Sequence, residues 1–230
     1  MDIPALMQQL LATLQGWWPG GAAPVALPAS LDTTHLMAIA AAMGWASGLR
    51  LYAVVFLTGL IGALGWVVLP SGLQLLQNPV VMAAAGGMLL VEFLADKVPG
   101  LDSLWDTVHT VIRIPAGAAL AGAVFGGDQS SWALVAALMG GTLAATSHVA
   151  KATTRAAVNT SPEPFSNIGL SLVGDALVPS MLWLAYAQPL TFFIVLGLML
   201  LLMVTLIVVL FRFLRGLLRR LRGVSEPLPV

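Results

Sequence analysis

The 230-residue sequence contains no cysteine, which excludes disulfides, thiolate metal centres and cysteine nucleophiles. Charge is scarce as well: Asp, Glu, Lys and Arg make up 9% of the chain, against about 25% in an ordinary soluble domain. Enzyme motifs are missing. There is no Gly-rich phosphate loop ending in Lys-Ser/Thr, no His-Glu-x-x-His and no Gly-x-Ser-x-Gly, and the aspartates lack the paired spacing of membrane prenyl or alcohol-phosphate transferases. The sequence therefore assigns no catalytic residue, no enzyme class and no cofactor. No Lys or Arg precedes the first apolar stretch, so the N-terminus does not read as a secretory signal peptide.

What is abundant is apolar: 59% of residues, more than a soluble fold of this size can hide. In hydrocarbon only helices and closed barrels satisfy every backbone polar group, and barrels alternate apolar with polar residues. Here the apolar runs are continuous, so the expected class is an all-α integral membrane protein. A span needs about 20 apolar residues. Six stretches meet that, roughly 49–69, 79–95, 103–125, 131–150, 167–187 and 190–211. A shorter one, 34–47, ends at Ser47-Gly48 and reads as a half-helix or re-entrant segment. The expected architecture is thus six transmembrane helices plus that segment. Residues 1–33 form an interfacial helix with Trp17 and Trp18 and a Pro/Gly linker; residues 34–211 form the transmembrane domain; residues 212–230 form a basic tail.

Laid end to end, six spans place Arg50, Lys97, Lys151, Arg155 and the C-terminal arginines (Arg212, Arg215, Arg219, Arg220, Arg222) on one side. The opposite loops, 70–78 and 126–130, carry only Asp128. Cytoplasmic loops collect Lys and Arg, so the expectation is a multi-pass protein of the bacterial inner membrane with a cytoplasmic C-terminus. The side of the N-terminus stays open. Two Gly/Ala-rich stretches, MGWASG near 43 and MGGTLAAT near 139, each precede a basic residue (Arg50, Arg155), an Asn (Asn78, Asn167) and an acid (Glu92, Asp175). That order admits a three-plus-three inverted repeat, the plan of many secondary transporters; small-residue packing motifs are the competing explanation.

Chemistry concentrates in two clusters. Asp102, Asp106, His109 and Arg113 are spaced four, three and four, one polar stripe on a helix. Glu92 and Asp96 share a face of the preceding helix, and Pro99-Gly100 makes the bend between them. His148, Lys151, Arg155 and Asn159 form a second, basic stripe, and Asp175 lies inside the helix that follows. Ionisable groups at such depth pair with one another or face a water-filled cavity. Two readings follow: a structural network that pins helices, or a cytoplasm-facing vestibule for an ion, proton or small polar solute. Arg113 or Arg155 is the expected partner of Asp175. Asp102, Asp106 and His109 offer oxygen and imidazole ligands for a divalent cation, but Arg113 next in line argues against a closed metal site, and none is assigned.

At these clusters the chain resembles an uncharacterised bacterial membrane family, domain of unknown function 4126. The motifs that carry the likeness are GLRLYAVVFLTGL (48–60), EFLADKVPGLDSLWD with HTVIR (92–113), and HVAKATTR through NTSPEPFSN (148–167). The resemblance implies a small multi-span protein whose charged stripes act as a unit, and names no substrate. The favoured function is a permease or channel-like transporter. In it Glu92, Asp96, Asp102, Asp106, His109, His148 and Asp175 line the pathway with Arg50, Arg113, Lys151 and Arg155. Membrane lipids are partners, nucleic acid is not, and a homo-oligomer is left open. A lipid-headgroup enzyme or flippase, and a non-transporting scaffold, are the alternatives.

Overall fold

A computed structural model describes residues 31–223 apart from 99, 127–128 and 161–164, together with single positions 5, 9 and 13. Apart from those three positions, the expected N-terminal interfacial helix lies outside the described residues, as does the Asp128 loop position. Those residues are helical and without strands: α1 (Thr33–Ala63), a 3-10 segment (Ser71–Gln77), α2 (Pro79–Ala95), α3 (Leu101–Ala123), α4 (Ser130–Val158), α5 (Phe165–Ala187) and α6 (Pro189–Gly223).

Local chemistry sets the helix starts. The Asp32 carboxylate accepts the His35 N–H at 2.8 Å and caps α1, satisfying a donor that a helix start leaves orphaned. Asn78 does the same for Val80 at 2.9 Å, with Pro79 in the first turn of α2 where its missing N–H is no loss. Gly100, at φ +87°, makes the reversal before α3 that a side chain would oppose.

The decisive local feature is in α1. Arg50 leaves helical geometry (φ −147°, ψ 78°), and there the helix folds back on itself. Thr58 Oγ1 donates to Met43 Sδ at 3.9 Å; in a straight helix fifteen residues would hold those positions about 22 Å apart. The element is therefore a helical hairpin with limbs 33–49 and 51–63, its tip at Gly48–Arg50. The first limb leaves backbone carbonyls unsatisfied at that tip. Ser147 Oγ donates to the Trp45 carbonyl at 2.7 Å and Lys151 Nζ to the Leu49 carbonyl at 3.1 Å, and a cation at a helix C-terminus is favoured by the dipole.

Residues 38–51 are all buried, so the hairpin is the centre around which the other helices stand. Small residues allow it: a Cβ on Gly44 would land on Gly140 of α4, and one on Gly48 on the Ala144 carbonyl. Without a hydrophobic drive between helices in lipid, such close backbone approach is what holds them. The two Gly/Ala-rich stretches thus face one another across a single seam.

The span count differs from the sequence expectation of six plus a half. Four helices are long and apolar enough to cross a membrane when α1 is taken at its full 31 residues, five if the 3-10 segment and α2, bent by 70°, count as one. Two causes explain the difference. The 34–47 and 49–69 stretches belong to one folded-back element, whose limbs of 17 and 13 residues reach about 25 and 20 Å, short of a hydrocarbon core about 30 Å thick. In α3, 23 residues long, four charged or imidazole side chains interrupt the apolar run.

Candidate functional site

Nine charged side chains from five helices meet around the tip of α1. Asp96, just past α2, is their hub: Arg50 Nη1 approaches it at 3.1 Å, Arg155 Nη2 at 3.0 Å and Lys151 Nζ at 3.3 Å. Arg155 also reaches Asp102 at 3.2 Å, and Lys151 reaches Asp106 at 3.1 Å. Arg113 bridges Asp106 at 2.7 Å and Glu92 at 2.5 Å. Arg50 closes the circuit on α5, with Asp175 at 2.8 Å and Ser171 Oγ at 2.8 Å. Arg50, Glu92, Asp96, Asp102, Asp106, Arg113 and Arg155 are all buried.

The helical spacings read from the sequence are what bring these groups together. On α3 the stripe Asp102, Asp106, His109 and Arg113 faces inward in full. The basic stripe of α4 faces it, so acids of one helix meet bases of the next. Asn159 extends the second stripe, donating to Asp102 at 3.1 Å and accepting from Asn167 at 2.7 Å.

Three expectations change. Asp175 pairs with Arg50 rather than with Arg113 or Arg155, because the hairpin carries Arg50 inward from the surface position a straight 49–69 span would give it. His109 stands apart from the ion pairs: its ring stacks on Trp105 at 4.0 Å, with Tyr52 Oη 3.1 Å from Nε2 and the Trp105 carbonyl 2.9 Å from Nδ1. His148 joins only at the edge, 2.7 Å from Thr110 Oγ1 and 3.4 Å from Arg113 Nη1. Asp102 and Asp106 share Arg155, whereas His109 turns to Tyr52 and Trp105; among the described residues no group of three or more His, Asp or Glu is arranged to hold a metal ion. Ser171, Tyr52 and Ser147 escaped the sequence reading. Ser171 alone left a signal, four residues before Asp175 on the same face of α5.

The charges nearly cancel: five carboxylates face Arg50, Arg113, Lys151 and Arg155, and Lys97, held over the Phe93 ring at 2.9 Å, supplies a fifth cation beside Asp96. Burying an ion costs several kcal/mol even after relaxation, and a partner offsets this only with good geometry. Neutrality is what makes so dense a cluster tenable.

The family is decided by the match over these same helices. The chain belongs to the family described as domain of unknown function (DUF4126), whose model matches residues 37–209. Within this DUF4126 chain the matched region runs from the first limb of α1 into α6 and includes all nine charges. No curated protein and no solved structure matches the chain.

Three cavities reach the DUF4126 cluster. The first, about 180 Å³, lies between the α1 tip, α4, α5 and α6, with Arg50, Asp96, Lys151 and Arg155 in its lining. The second, about 280 Å³, lies between the second limb of α1, α2 and α5, and includes Arg50 and Asp175. The third, about 290 Å³, opens between α3 and α4 beside Asp106, Thr107, Thr110 and Arg155. Along α5 the first cavity spans residues 170–177 and the second 175–179. The Arg50–Asp175 pair stands where one gives way to the other.

Proposed function

We propose that this protein is a small permease-like carrier that passes a charged or polar group through the cluster at the α1 tip, in the inner membrane of a bacterium with its C-terminus cytoplasmic. The observation that carries the reading is the Arg50–Asp175 pair with a cavity on each side of it. Intramembrane charge marks a pathway by default, and a pair that separates two cavities is where a pathway is opened or closed. α5 is the element suited to move: it leans mainly on α1, meets α4 little, and has Gly174 and Pro179 flanking Asp175. A three-plus-three repeat fits this reading, since Arg50 of the first half pairs with an acid of the second and Arg155 of the second with acids of the first. The reading is of a carrier rather than a catalyst. A scaffold needs the ion pairs but not the cavities.

The absence of native cysteine provides the test. Leu57→Cys and Leu177→Cys place thiols in the second and first cavities, and a membrane-impermeant maleimide reports whether water reaches them. A carrier gives slow labelling at both, accelerated at Leu57→Cys when Asp175→Asn breaks the pair. If neither thiol is labelled in either background, the carrier reading fails.

A further inference from the structure

The first cavity has two chemically distinct halves. Its inner lining includes Arg50, Lys151, Arg155 and Asp96, and the three cations also pair with Asp175, Asp106 and Asp102 beyond the wall. Arg50 and Arg155 are 2% and 1% exposed, and among the described residues Arg50 Nη1 and Arg155 Nε have no hydrogen-bond acceptor; these two atoms meet Asp96 and Asp106 by charge alone. The wall supplied by α6 is wholly Leu and Met. Val173 of α5 and Leu202 of α6 belong to the lining yet are 55% and 52% exposed on the outer surface, so the cavity opens sideways between these two helices.

Depth decides what that opening meets. Val173 is eight residues into α5, about 12 Å along the axis, and Leu202 is thirteen residues into α6, about 20 Å. In a hydrocarbon core about 30 Å thick, both positions lie among acyl chains. At about 180 Å³ the space exceeds what one water needs, on the order of 10–15 Å³ by the same kind of measure.

We propose, resting on the carrier reading, that the group carried is the anionic head of a membrane amphiphile, a carboxylate or phosphate bearing an acyl chain. The chain enters between Val173 and Leu202, and the head meets the cations of the inner lining. A free inorganic anion has no use for the Leu and Met wall. A zwitterionic lipid would bring its positive group against Arg50, Lys151 and Arg155.

The purified protein is incubated with vesicles of equimolar phosphatidylglycerol and phosphatidylcholine, and retained lipids are counted by native mass spectrometry. To remove the contribution of the basic tail, Arg212, Arg215, Arg219, Arg220 and Arg222 are replaced together by Gln. The expected result is at least one phosphatidylglycerol retained per chain in preference to phosphatidylcholine, with or without the tail arginines. Val173→Trp and Leu202→Trp, larger side chains at lipid-facing positions, should lose that molecule without a change in melting temperature. Equal retention of the two lipids, a preference that disappears with the tail arginines, or Trp variants that retain as much phosphatidylglycerol as the parent would each overturn the proposal. Lipid preference with both thiols closed to maleimide ends the carrier reading and leaves the binding site; labelled thiols without lipid preference end the binding site and leave the carrier.

Discussion

Replacing Arg113 by methionine isolates the value of one buried partner. Arg113 is fully buried and touches two acids. Asp106 would keep Lys151 at 3.1 Å and Arg155 at 3.5 Å. Among the described residues Glu92, also fully buried, has no other ion pair, and its Oε2 already lacks a hydrogen-bond partner. The variant therefore strands one carboxylate away from water. Removing one member of a buried pair costs about 3–5 kcal/mol, and in a chain of this size each kcal/mol lowers the melting temperature by about 2–4 °C. The expected drop is roughly 6–20 °C. Adding Glu92→Leu removes the stranded charge and leaves the balance of the remaining cluster unchanged, since one acid and one base have gone together. Apolar replacement of a whole buried pair is often neutral or stabilising, so the double variant should recover most of the loss. The seven tryptophans make intrinsic-fluorescence melting of the purified protein a direct assay. A single variant that melts with the wild type, or a double variant no better than the single, would refute the pairing argument.

Asp175→Asn should be milder, about 1–2 kcal/mol, because the Asp175 side chain is 26% exposed and Arg50 keeps Asp96 and Ser171; a melting loss as large as that of Arg113→Met would contradict the shared-partner geometry. Gly44→Ala drives a methyl into the Gly140 backbone and should cost about 1–3 kcal/mol or more, whereas Gly87→Ala meets nothing within 4 Å and should melt like the parent; equal melting of the two variants would remove the small-residue seam. For orientation, thiols at Thr160 and Arg219 should be reached from the cytoplasmic side and one at Gln74 from outside; labelling of Thr160→Cys from outside intact cells would reverse the assignment.

Legibility followed the range of each interaction. Membrane class came from hydropathy, a sum over neighbours in the chain. The inward stripes on α3 and α4 came from the 3.6-residue period, also local. The break in the first helix was half visible: Ser47-Gly48 marked the end of a short segment, and the backbone departs at Arg50. That the second limb then returns beside the first left no trace, because reversing direction at one residue leaves every hydropathy window unchanged. Counting straight spans from that point consequently gave one crossing too many, and put Arg50 at the surface.

Residue types and spacing alone determined that this is a helical membrane protein with charge buried in its spans, since no arrangement of this composition keeps those groups in water. Which charges pair was decided by the tertiary structure. Arg50 meets Asp175 across 125 residues of chain, through a hairpin whose tip is held by Ser147 and Lys151 of a third helix. An ion pair depends on the distance and facing of two helices in space, and neither quantity is written in the local pattern of either one.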